Sequence, residues 1–263
     1  MVKIILALLF SIAAMATPSC YEIYKIDKKS EVDTAVFILI DETTPFNDRL
    51  KEQIISNSLN FVKPGNSVII GKFSAMIDGK YNETLFDFNL DMPLSDSEKY
   101  ELNKNTLGKV DKCLKDQMAF VRKSVESQIN SAFGTAEIAK SDIFYALKDF
   151  AKSSIVDKEA KRKVVILASD MLENSSITSF YANNAVRQID AKNELKKVGD
   201  SDFFADFGNA DVFVIGTGIT KNYKKYINAK QLSSFSKFWS EYFEKSNARL
   251  VDFGTPALKS VIK

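Results

Sequence analysis

Between Ala35 and Ile40 every position is apolar, and the run stops on an acid, Asp41. Val, Ile and Phe without alternation predict a strand covered on both faces, as in the centre of a parallel sheet. Two later stretches resemble it: Val164–Ala168 runs into Ser169-Asp170, and Val212–Ile215, behind Ala210-Asp211, runs into Gly216. Val68-Ile69-Ile70 with Phe73 predicts a further strand, and Leu250–Phe253 a short final one. Leu85–Leu90 alternates apolar and polar residues behind an Asp78-Gly79 turn, which predicts a half-exposed antiparallel edge strand.

The intervening segments change period. Pro45 is placed to open a helix carrying Phe46, Leu50, Ile54, Leu59 and Phe61, ended by Pro64-Gly65-Asn66. Ser95 with Glu98 forms a capping box. Behind it Leu107, Val110, Leu114, Met118, Val121, Val125, Ile129 and Phe133 recur at three- and four-residue steps. That spacing predicts one long amphipathic helix, broken near Gly108, packing onto a sheet. Ser141-Asp142 caps a shorter helix through Ile143, Phe144, Leu147 and Phe150, and helical sequence fills much of 176–198. Phe235, Phe238, Trp239, Tyr242 and Phe243 share a helical stripe, which is the signature of core packing. Strands alternating with helices predict an α/β, doubly wound, mostly parallel central sheet with helices on both faces and one antiparallel edge strand.

The ends of the chain have different patterns. Lys3, an apolar run from Ile4 and Ala14-Met15-Ala16 read as a signal peptide over residues 1–16, cleaved before Thr17. Thr17-Pro18-Ser19 before Cys20 fits a lipoprotein signal poorly. Residues 17–32 form a polar lead-in, 33–254 the domain and 255–263 a C-terminal tail. No later segment is long enough to span a membrane, so the mature protein is expected in the periplasm or secreted. Export places Cys20 and Cys113 in an oxidising compartment, where a disulfide and two unpaired residues are both open readings.

Composition narrows the chemistry. Thirty-six Lys and Arg face 34 Asp and Glu among 263 residues, so no basic field favours nucleic acid. No His is present, which removes Ser-His-Asp and Cys-His catalysis and most zinc sites. What remains is carboxylates, hydroxyls, lysines and hard metals. Gly216-Thr217-Gly218 lacks the third glycine of a dinucleotide loop and reads as a strand exit. Asn82 and Asn174 head glycosylation sequons that matter only in a eukaryote, whereas the Lys-, Asn- and Ile-rich composition points to a bacterial source.

With these elements in order, residues 33–254 resemble the von Willebrand factor type A domain. That family's metal-ion-dependent adhesion site uses an Asp-x-Ser-x-Ser loop, a separate Thr or Ser, and a distant Asp. Asp41 and Thr43 match the first two loop positions, and Pro45 stands where the third hydroxyl belongs. Ser141 resembles the separate hydroxyl, and Asp170 the distant Asp, although Met171 replaces the usual following Gly.

The resemblance implies an exported, non-enzymatic module that recognises a protein partner. Asp41, Thr43, Ser141 and Asp170 would hold Mg²⁺, leaving a position for a partner's carboxylate. Against this stands a degenerate corner in which the two acids serve only the fold. The alternative function is an exported Mg²⁺-dependent phosphohydrolase using the same corner, disfavoured by the absence of His and of a second Asp at position 43.

Overall fold

In a computed structural model, which describes residues 19–28, 31–77, 80–134, 141–183, 185–219 and 227–263, a six-stranded sheet forms the centre. Its strands are β1 (Thr34–Asp41), β2 (Ser67–Ile77), β3 (Lys80–Asn89), β4 (Arg162–Ala168), β7 (Ala210–Ile215) and β8 (Ala248–Phe253), in the order β3-β2-β1-β4-β7-β8. A hairpin of β5 (Tyr181–Ala182) and β6 (Ala185–Val186) stands apart from it. Only β3 of the main sheet runs antiparallel, at one edge, as its alternation predicts. β1, β4 and β7 are adjacent and parallel, as their unbroken apolar runs predict. The predicted signal peptide and the Asp78-Gly79 turn lie outside the described residues.

β1 explains why these runs do not alternate. Ala35, Phe37 and Leu39 face one apolar core, and Val36, Ile38 and Ile40 face another. The first core is closed by α5 (Ile143–Phe150), α6 (Ala191–Asp200) and α7 (Ala229–Lys245). Phe235, Phe238, Trp239, Tyr242 and Phe243 of α7 are fully buried there, as the stripe predicts, and the Trp239 indole donates to the Met171 carbonyl at 3.1 Å. The second core is closed by α2 (Asp48–Leu59) and α4 (Lys104–Ala132), whose Val121, Val125 and Ile129 are buried.

Several boundaries differ from the sequence expectation, each for a local reason. α2 starts at Asp48 because Asn47 accepts from the Leu50 amide, leaving Pro45 in the preceding turn. The capping box at Ser95 forms, but it heads only α3 (Asp96–Tyr100). The long helix restarts after Asn103, whose side chain accepts from the Thr106 amide. Gly108 does not break it: the helix runs on from Lys104 to Ala132, and one glycine costs it only about 1 kcal/mol relative to Ala. Within 176–198 the first half is the β5–β6 hairpin, and the helix begins only after Asp190 caps Asn193.

The lead-in and the tail both pack against the domain. Cys20, in the short helix α1 (Cys20–Ile23), is disulfide-bonded to Cys113 of α4. Its amide donates to Asp91 at 2.7 Å, and Tyr21 packs with Leu94 and Val110 in a small third core. At the other end Leu258 and Ile262 are buried against α2, with the Ile262 amide donating to Asn57 at 2.8 Å. Among the described residues no helix is long and apolar enough to cross a membrane.

Candidate functional site

Parallel pairing of β1 with β4 carries the ends of both strands to the same edge of the sheet, where β1 ends on Asp41 and β4 runs out into Ser169 and Asp170. Asp41 is fully buried, and both of its oxygens are occupied. Oδ1 accepts from the Thr43 amide at 2.9 Å and from Thr43 Oγ1 at 2.6 Å. Oδ2 accepts from Ser169 Oγ at 2.9 Å and from Ser141 Oγ at 3.3 Å. Burial pushes the Asp41 carboxyl up from its ordinary range, while the Thr43, Ser169 and Thr44 hydrogen bonds pull it back down.

Asp170 joins the corner through the backbone. Its amide donates to Thr44 Oγ1 at 3.0 Å, and its Oδ1 accepts from the Leu172 amide at 2.8 Å. Thr43 and Asp170 each retain 9% exposure, so the corner meets solvent on their side. The four residues expected from the sequence thus converge: Thr43 and Ser141 bond directly to Asp41, and Asp170 follows the Ser169 that does so. Ser169 itself was not expected as a site residue. Its hydroxyl also accepts from the Met171 amide at 2.9 Å, so it both holds Asp41 and shapes the turn. A serine directly before the acid that ends a buried strand is the signal that points to it.

Surrounding groups set the electrostatics. The Tyr181 hydroxyl, on the hairpin, is pushed up by burial and by the charges of Asp170 and Asp41. Glu42, beside Asp41, is engaged by Lys72 at 3.0 Å. Glu173 is fully buried and accepts from the Phe144 amide at 3.1 Å, so it caps α5, where Asp142 makes no side-chain cap bond. Burial raises its pKa to about 8, which leaves it largely protonated at neutral pH.

The donors gathered here are carboxylate and hydroxyl oxygens without sulfur or imidazole, a set suited to a hard cation such as Mg²⁺ or Mn²⁺. Among the described residues no group of three or more His, Cys, Asp or Glu could hold a metal, so such a cation would draw on two acids, hydroxyls and water. Pro45 offers no oxygen from its side chain. A cleft lined by Asn209, Asp211, Glu244, Asn247 and Arg249 lies at the opposite end of β7. There Asp211 is taken up by Arg249 at 2.6 Å and Arg162 at 3.3 Å, an arrangement that ties strands together.

No protein-family model and no curated protein matches the chain. Similar solved structures include three N-terminal domains of the type V pili tip protein Mfa5 from Porphyromonas gingivalis, at 17% identity and a TM-score of 0.32 over 54% of this chain and 20% of that one. The pilus adhesin SpaC from Lactobacillus rhamnosus GG is 10% identical with a TM-score of 0.37, over 84% of this chain and 31% of that one. A von Willebrand factor type A structure from Catenulispora acidiphila is 8% identical with a TM-score of 0.33, over 82% of this chain and 43% of that one. The chain therefore spans less than half the length of each of these three. None of these likenesses assigns a ligand or a residue role to this chain.

Proposed function

We propose that this chain is an exported, non-enzymatic binding module that recognises a protein partner through a divalent cation held at the corner of Asp41, Thr43, Ser141 and Asp170. The observation that carries the reading is the crown of hydroxyls around a buried carboxylate: three separate side chains, from the β1 loop, from the turn before α5 and from the end of β4, donate to Asp41. Each hydroxyl can rotate its proton away and offer a lone pair instead. A cation would also relieve the cost of keeping Asp41 ionised in a buried setting. The partner's part is a carboxylate in a position that protein oxygens leave open.

The phosphohydrolase alternative gains nothing from this geometry. Asp41 has both oxygens capped by donors, and Thr43 stands where a general-acid Asp would be needed. The test is capture of exported proteins on the immobilised mature chain in Mg²⁺, in chelator, and in Mg²⁺ with an acidic competitor peptide. Capture that needs the ion and yields to the acidic peptide supports the reading. Capture indifferent to both, and unchanged in Asp41→Asn, overturns it.

A further inference from the structure

Thr217 stands out among the side chains near this corner. It is 4% exposed, and its Oγ1 is buried without a hydrogen-bond partner among the described residues. Most buried hydroxyls in proteins are satisfied, because water is lost without replacement when they are not; the other buried hydroxyl left unpaired among the described residues is Ser67, on β2. Its neighbours fix where it sits. Gly216 follows the end of β7 with φ of 109°, and a Cβ there would stand 3.1 Å from the Ser169 carbonyl and 2.6 Å from the Phe46 ring. Gly218, with φ of 73°, donates its amide to the Asp170 carbonyl at 3.0 Å. Both glycines are needed for that path, since side chains are strained at these angles and Gly216 has no room for one. The turn thereby holds the glycines on either side of Thr217 against the carbonyls of Ser169 and Asp170, the two corner residues that follow β4.

Building on the cation reading above, we propose that Thr217 Oγ1 is a further oxygen ligand of the cation, supplied from the end of β7 and standing in for the hydroxyl that Pro45 lacks. The β1 loop provides Asp41 and Thr43, the turn before α5 provides Ser141, β4 provides Ser169 and Asp170, and β7 provides Thr217. Thr44 already has a partner, since its hydroxyl accepts from the Asp170 amide, whereas Thr217 Oγ1 has none among the described residues. A hard cation accepts a neutral hydroxyl oxygen readily and gives an otherwise unpaired group its partner. The site on this reading is spread over three adjacent strands rather than concentrated in one loop.

The experiment is Mn²⁺ titration by calorimetry of the intact mature chain, with Thr217→Val, Thr217→Ser and Asp41→Asn beside it, and urea melts of each without ion. Thr217→Val keeps the shape and removes only the hydroxyl. It should weaken Mn²⁺ binding by about tenfold or more while leaving the ion-free melt as stable as the parent or more so. Thr217→Ser should bind as the parent does. A parent that binds Mn²⁺ through Asp41 together with an unaltered Thr217→Val overturns the role of Thr217 and leaves the cation reading standing. A parent that binds no Mn²⁺ overturns both.

Discussion

Removal of the Cys20–Cys113 disulfide is expected to cost stability through the unfolded chain more than through the folded one. The bond joins positions 93 apart in sequence. Closing a loop of that length removes chain entropy worth about 4.6 kcal/mol at 25 °C. In the folded state the lead-in keeps other anchors: Ser19 and Cys20 both bond to Asp91, Gln117 bonds to Asp91 at 3.0 Å, and the Tyr21 hydroxyl donates to the Met92 carbonyl. The folded structure therefore survives the double variant Cys20→Ala/Cys113→Ala, while its unfolded chain expands. Urea unfolding of the two proteins reads both effects. The variant should lose about 3–5 kcal/mol and show a larger m value, because an unlinked denatured chain exposes more surface. A loss below about 1 kcal/mol, or a large loss with m unchanged, would refute the entropic account.

Other expectations concern single side chains. Glu173 has a folded pKa of about 8 against a usual value near 4.5, so its contribution to stability is present below the unfolded pKa and is lost as pH rises to about 8; Glu173→Gln, which resembles the protonated acid, should flatten the fall in urea midpoint between pH 5 and 8, and an unchanged fall would count against it. Ser169→Ala removes a hydroxyl that donates to Asp41 and accepts from the Met171 amide, and should cost about 1–3 kcal/mol in chemical denaturation. Trp239→Ala empties a fully buried position and should cost about 3–5 kcal/mol by the same measurement. Glu194 is raised by burial but lowered overall by the bonds from Thr178, Arg187 and Lys197; Arg187→Ala removes its 2.9 Å partner and should destabilise the hairpin region, read as faster hydrogen exchange at the amides of Phe180 and of position 187.

The strongest sequence signals were those in which one physical cause governs a whole segment. β1, β4 and β7 lie between two apolar layers, so their inner residues, Ala35–Ile40, Val164–Ala168 and Val212–Ile215, are all apolar and no alternation survives. The stripe of α7 was equally plain, because its aromatic residues all serve one core. Residues 171–190 were hidden because local polar bonds decide their course. The bridge between Asn174 and Ser179, the Ser175 hydroxyl on the Ile177 amide and Arg187 on the Ser179 carbonyl outcompete the helical spacing of the few apolar residues there. In the corner, Asp41, Thr43, Ser141 and Asp170 were legible as an ordered set of oxygens. Ser169 and Thr217 were not, since each reads locally as an ordinary strand end and only β4 and β7 lying side by side brings them to the same place.

The central claim, that the buried acid and its hydroxyls form a cation site, is tested most directly by the ion dependence of thermal unfolding. A ligand that binds only the folded state at about ten times its dissociation constant adds roughly 1.4 kcal/mol of stability. Melts of the mature chain in Mg²⁺, in Mn²⁺ and in chelator should show a higher midpoint with either ion, no such rise in Asp41→Asn, and a larger rise in Pro45→Ser. Equal midpoints with ion and with chelator, in both the natural chain and Pro45→Ser, would contradict the account and leave Asp41 as a purely structural anchor of the sheet edge.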